Sequence, residues 1–120
     1  MEHATREEGE TLVISFQGEV DLEHSPVARG VLLEGIGLGK EVLVDLSEVS
    51  YIDSSGVASL VEAFQVARRN GTQFALVSIN VAARRVLELA RLDKVFVIHE
   101  TLAEALNHRT LNNRSPDAGD

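Results

Sequence analysis

Val42-Leu43-Val44-Asp45-Leu46-Ser47-Glu48-Val49-Ser50-Tyr51-Ile52-Asp53-Ser54-Ser55-Gly56 passes from an apolar run into a polar one, and its two halves ask for different structures. Glu41 to Leu46 is nearly continuous in apolar residues, as a central strand covered on both faces requires. A loop through Tyr51 follows. Beyond it, residues 55–69 carry Val57, Leu60, Val61 and Phe64 at helical spacing. Asp53, Ser54 and Ser55 stand where that helix starts, and Asp and Ser are favoured caps because a short side-chain oxygen accepts an otherwise unpaired amide.

The same alternation extends outward. Upstream, Thr11 to Gln17 reads as a strand with Leu12, Ile14 and Phe16 on one face. Gly18-Glu19-Val20-Asp21 breaks it, and Ser25-Pro26 opens a helix that runs to about Leu38, Ser25 serving as its cap. Gly30, Gly35 and Gly37 leave the end of that helix open. Downstream, Asn70-Gly71 suits a left-handed helix cap, and Gln73 to Val77 forms a third strand. Asn80 caps a helix with Ala83, Val86, Leu87 and Ala90 on one face; Val95 to Ile98 is a fourth strand, and Leu102 to about His108 a last helix. Strands separated by helices imply right-handed crossovers and a largely parallel sheet, so the fold class is α/β.

Composition narrows the function classes. The 120 residues suffice for one domain, and 44% hydrophobic with 25% charged residues is a globular balance. The absence of cysteine removes disulfides, thiolate metal sites and cysteine nucleophiles. No apolar run approaches a membrane span, and Met1-Glu2-His3 does not resemble a signal peptide, so a cytoplasmic protein without membrane insertion is expected. The net charge of -8 and 4% aromatic content argue against direct nucleic-acid binding, which needs clustered cations. Arg68-Arg69 and Arg84-Arg85 read as solvated helix faces.

In open α/β sheets the usable edge lies beyond the carboxyl ends of the strands. The loops there carry Gly18 to Asp21, Ser50 to Gly56 and Ser78 to Asn80, and the second is chemically the richest. Capping explains part of Asp53-Ser54-Ser55-Gly56, but three polar residues exceed what one cap needs. A hydroxyl at a helix start is also suited to phosphorylation, since free amides and the helix dipole favour an added dianion. Gly56, without a Cβ, would let a kinase come close to the backbone. Catalysis by either serine lacks a partner: none of His3, His24, His99 and His108 is spaced as its base, and the Gly-x-Ser-x-Gly elbow is missing. Gly35 to Lys40 is glycine-rich but follows a helix and lacks the Ser or Thr of a phosphate loop. Nothing has metal-ligand spacing, and neither a metal nor a cofactor is expected.

The stretch from Val42 to Gly56 resembles the central signature of STAS domains, especially bacterial anti-sigma-factor antagonists. Phe16-Gln17-Gly18-Glu19-Val20-Asp21 resembles the family's first loop, and Ala83 to Val97 its third helix and last strand. The likeness covers roughly residues 10–107. It implies a single STAS-like domain over residues 10–109, with a mostly parallel or mixed sheet of about four to five strands and about four helices. Residues 1–9 are then a flexible N-terminus and 110–120 a disordered polar tail. The resemblance further implies partner switching. The unphosphorylated antagonist binds an anti-sigma factor that is also a serine kinase of the histidine-kinase-like ATPase type. That kinase phosphorylates Ser55 and is released, and a serine phosphatase resets the cycle. Asp21, Asp53, Ser54, Ser55 and Gly56 are the implied contact residues, and the chain is expected to be a monomer or weak dimer and not an enzyme. Two departures stand out: Arg91 where the family often has glycine, and Val57-Ala58 where Leu-Gly is common. The same resemblance also accommodates an accessory subunit docking on the ATPase of a membrane phospholipid transporter, or a small-ligand sensor.

Overall fold

Alternating strands and helices do assemble one sheet, whose order is β1-β2-β3-β4-β5. The computed structural model describes residues 1–107. Its elements are β1 (Glu2–Glu8), β2 (Thr11–Val20), α1 (Ser25–Ile36), β3 (Glu41–Ile52), α2 (Ser54–Asn70), β4 (Phe74–Val77), α3 (Val81–Leu89) and β5 (Val97–His99), followed by α4 (residues 102–107). β2, β3, β4 and β5 pair in parallel, and β1 lies antiparallel along β2, so the sheet is mixed. The polar tail expected at 110–120, and the domain boundary at 109, lie outside the described residues.

Side-chain alternation along the strands divides the interior into two parts. Leu12, Ile14, Phe16, Val42, Val44, Leu46, Phe74 and Leu76 face α1, α2 and α3, meeting Leu32, Leu60, Ala63 and Leu87. The opposite face carries Leu43, Ala75 and Val77, covered by Leu102, Ala105 and Leu106 of α4. The near-continuous apolar run of β3 is thus explained, since Val42, Leu43 and Val44 are all fully buried, on alternating faces. Phe64 of α2 packs edge-on against Phe96 and Phe74, with centroids 5.5 and 6.4 Å away, and so ties α2 to β4 and to the approach to β5.

Four features differ from the sequence reading. Residues 1–9 are not left as a flexible N-terminus: Glu2 to Glu8 form β1, in register from Glu2↔Gln17 to Glu8↔Thr11. Every residue of β1 is exposed, so it has no apolar alternation to reveal it. The backbone ladder holds it, and Gly9, with φ 66°, makes the tight turn. Second, β3 continues through Ile52 where a loop was expected. Third, the turn before α1 is capped by Asp21 and not by Ser25. The Asp21 carbonyl accepts from the Ser25 amide at 2.7 Å, its carboxylate accepts from the His24 amide at 3.1 Å, and the Ser25 hydroxyl points back to the Leu22 carbonyl. Fourth, the last strand is Val97–His99 and not Val95 to Ile98; ahead of it Arg91 ends α3 in the left-handed conformation, with φ 61°, while the Leu92 amide reaches back to the Leu87 carbonyl.

The extension of β3 shows why it was hidden. Against β2 the pairing runs Ser15↔Asp45, then Gln17↔Glu48, and Gly18↔Val49, then Glu19↔Tyr51. Each step inserts one extra residue on β3, so the strand carries two bulges. Burial accordingly falls on Leu46, Val49 and Ile52, a spacing of three that matches neither strand nor helix. The bulged half stays paired with β2 as far as Val20↔Ile52, beyond the reach of β4, and delivers Asp53 to the start of α2.

Candidate functional site

Asp53 is the organising side chain at the carboxyl edge of the sheet. It is the N-cap of α2, with extended backbone. Its Oδ1 accepts from the Ser55 amide at 2.9 Å, the Gly56 amide at 3.1 Å and the Ser55 hydroxyl at 2.6 Å. Its Oδ2 accepts from the Leu22 amide at 3.1 Å, in the loop between β2 and α1. One carboxylate therefore joins two loops that are far apart in sequence. The Ser55 hydroxyl, the Gly56 amide and the other two amides together hold the Asp53 carboxyl below the ordinary carboxylate value, against a smaller opposing effect of desolvation.

Asp21 sits in the same loop as Leu22. Its Oδ1 meets His24 Nδ1 at 2.7 Å and the His24 amide at 3.1 Å. Desolvation raises its carboxyl, but the combined His24 bonds and charge outweigh that and leave the pKa lowered. Asp21 and Asp53 are linked through the backbone around Leu22. The His24 imidazole is engaged with Asp21 at this edge.

The two serines differ. Ser54 is exposed, and its hydroxyl makes no hydrogen bond among the described residues, whereas Ser55 is half-buried and donates to Asp53. The amides expected to be free for a phosphate are taken, since those of Ser55 and Gly56 already serve Asp53. Gly56 also has a different reason for being glycine. It is buried, and a Cβ there would collide with the Val20 carbonyl oxygen and crowd the Ile52 side chain. Its missing side chain lets α2 begin hard against the end of β2, which is an internal need for glycine at this position.

The third loop is structural at its core. The Asn80 side chain accepts from the Ala83 amide at 2.9 Å, capping α3, and donates to the Val49 carbonyl of the bulged strand. Sequence reasoning missed the apolar members of this edge. Leu22 is 74% exposed, Tyr51 53% and Val81 81%, each on one of the three loops or beside it. A leucine among Asp21, Glu23 and His24 was the signal available.

A cleft of about 340 Å³ between α2, β4 and β5 is lined by Phe64, Arg68, Phe74 and Val97 and includes neither Asp21 nor residues 53–56. Among the described residues no cluster of His, Asp and Glu is arranged to hold a metal, and no helix is long and apolar enough to cross a membrane.

Comparison with known proteins points to one family. The STAS domain model matches residues 3–105. A Thermotoga maritima protein with the provisional name anti-sigma factor antagonist is 40% identical over 70 residues, which cover 58% of this chain and 61% of that protein. The chain thus spans about three-fifths of that relative's length. The anti-sigma-B factor antagonist of Bacillus subtilis is 26% identical over 85 residues, covering 71% of this chain and 78% of that one. The crystal structure of an anti-sigma factor antagonist from Mycobacterium paratuberculosis superposes with a TM-score of 0.82 at 26% identity, covering 89% of this chain and 92% of the other. With its five-stranded mixed sheet and the Asp53-Ser54-Ser55-Gly56 edge in place, the chain belongs to the STAS domain family.

Proposed function

We propose that this chain is an anti-sigma-factor antagonist that works by phosphorylation-controlled partner switching in the cytoplasm. Unphosphorylated, it binds an anti-sigma factor that is also a serine kinase of the histidine-kinase-like ATPase type. Phosphorylation of Ser55 dissociates the pair, and a serine phosphatase restores binding. The observation that carries this reading is the Ser55 hydroxyl at the start of α2, held by Asp53 and joined through Leu22 to the Asp21 loop.

The docking surface consists of Asp21, Asp53, Ser54 and Ser55, with Gly56 supporting it from behind. Exposed Leu22 and Tyr51 supply apolar area beside the charges. Such a mixed patch suits a partner presenting cations around an apolar contact. Phosphorylation adds roughly -1.5 to -2 charges at neutral pH. That dianion stands beside the Asp53 carboxylate, whose amide partners it must contest. Charge repulsion and desolvation then oppose the complex while the buried core keeps the domain folded.

The test is intact-mass analysis and site mapping after incubation with ATP and each candidate kinase. One phosphate on Ser55, abolished in Ser55→Ala while that variant still binds the kinase, is the expected result. Normal phosphorylation of Ser55→Ala refutes the site. No phosphorylation by any candidate, with stable binding to a transporter ATPase, replaces the switch by an accessory-subunit role.

A further inference from the structure

We propose that Asp53 decides which of two adjacent serines is phosphorylated, by holding the Ser55 hydroxyl as an oriented acceptor while Ser54 is left unheld. The inference rests on the phosphoryl-acceptor reading above and names the residue that gives the site its selectivity. By exposure alone Ser54 is the better target, since it is exposed and Ser55 is half-buried. Selection of Ser55 therefore needs a cause other than access.

The geometry supplies one. The Ser55 hydroxyl donates to Asp53 Oδ1 at 2.6 Å, a short charge-assisted bond that fixes one rotamer and aims the oxygen lone pairs away from the carboxylate. The carboxylate is itself immobilised by the amides of Ser55, Gly56 and Leu22, so the acceptor is presented from a rigid support. The Ser54 hydroxyl has no corresponding anchor among the described residues. Holding a reacting group in an attacking geometry is a large part of phosphoryl-transfer catalysis, where the enzyme has little covalent work to do. In the step itself, Ser55 Oγ bonds to the γ-phosphorus of ATP as the bond to the bridging oxygen breaks. ADP leaves with that electron pair, and the hydroxyl proton is lost late, to water. Asp53 is a positioning residue here. Its lowered pKa suits a hydrogen-bond acceptor better than a holder of the proton.

Two measurements test the proposal. In the first, the Asp53 carboxyl is titrated by NMR in the wild type and in Ser55→Ala. The midpoint rises in Ser55→Ala if the hydrogen bond exists in solution, and an unchanged midpoint overturns the proposal without any kinase. In the second, Asp53→Asn is phosphorylated with ATP and a kinase active on the wild type. Asn caps helices about as well as Asp, so the fold is retained, while the charge is lost. The expected result is a fall of about tenfold or more in kcat at Ser55 and a rise in the Ser54 share of product, beside whatever rise in KM the loss of a docking charge brings. Labelling of Ser55 alone at the wild-type kcat overturns the selection and leaves the switch standing. A wild type that no kinase labels overturns the switch and the selection with it.

Discussion

The two halves of β3 do opposite work. From Glu41 to Leu46 the strand is regular, and Val42, Leu43 and Val44 are sealed between helices on both faces. From Ser47 to Ile52 two bulges break the pairing, burial falls to every third residue, and the strand hands over to Asp53, the cap of α2. The first half is built from packing, and its residues are exchangeable for others of similar volume. The second half buries only Val49 and Ile52 and leads into the Asp53 cap, which is built from hydrogen bonds with fixed directions. The proposed docking residues thus lie just beyond the strand whose packing stabilises the fold, and substitutions should separate the two.

Leu43→Ala should show the largest effect on stability. Leu43 is fully buried against α4, and truncation of such a side chain costs about 2–5 kcal/mol. Urea unfolding should register that loss, while the folded fraction keeps its kinase affinity. A loss of affinity in folded protein would break the separation. Gly56→Ala comes next, at about 1–3 kcal/mol, because the added methyl must push α2 off the Val20 carbonyl. This variant should damage both properties, as Gly56 is where the packed interior meets the site.

Acid exposes the second half selectively. The Asp53 carboxyl has a folded-state pKa below its ordinary value of 3.8. Between the two values the unfolded chain binds more protons, so stability from this group is complete above about pH 4 and is lost as pH falls through the folded value. Melting temperature in Asp53→Asn should therefore fall less steeply below pH 4 than in the wild type; equal slopes would deny the carboxylate its structural part. The smallest effect belongs to Arg91→Gly, remote from the site. Relieving φ 61° should add about 0.5–1 kcal/mol and leave phosphorylation unchanged.

The comparison also explains what was legible in the sequence. Regular segments announce themselves: Leu12, Ile14 and Phe16 by alternation, Val57, Leu60 and Phe64 by helical spacing, and Gly71 by the left-handed turn it makes, with φ 75°. Asp53, Ser54 and Ser55 were visible as a polar excess at a helix start. Hidden were the elements without a period. β1 is exposed throughout, and the far half of β3 has its alternation destroyed by bulges. Also hidden was the Asp53–Leu22 bond, because a side chain meeting a backbone amide thirty-one positions away leaves no residue-type signature. Gly56 was singled out for its missing side chain, but its closeness to the Val20 carbonyl, thirty-six positions away, left no mark in the sequence.

The central claim is that phosphate on Ser55 expels the partner, and calorimetry tests it most directly. The kinase partner is titrated with the unphosphorylated chain and with the chain quantitatively phosphorylated at Ser55. The account predicts that phosphorylation raises Kd more than about a hundredfold, equivalent to about 3 kcal/mol of lost binding. Equal affinities for the two forms would contradict it.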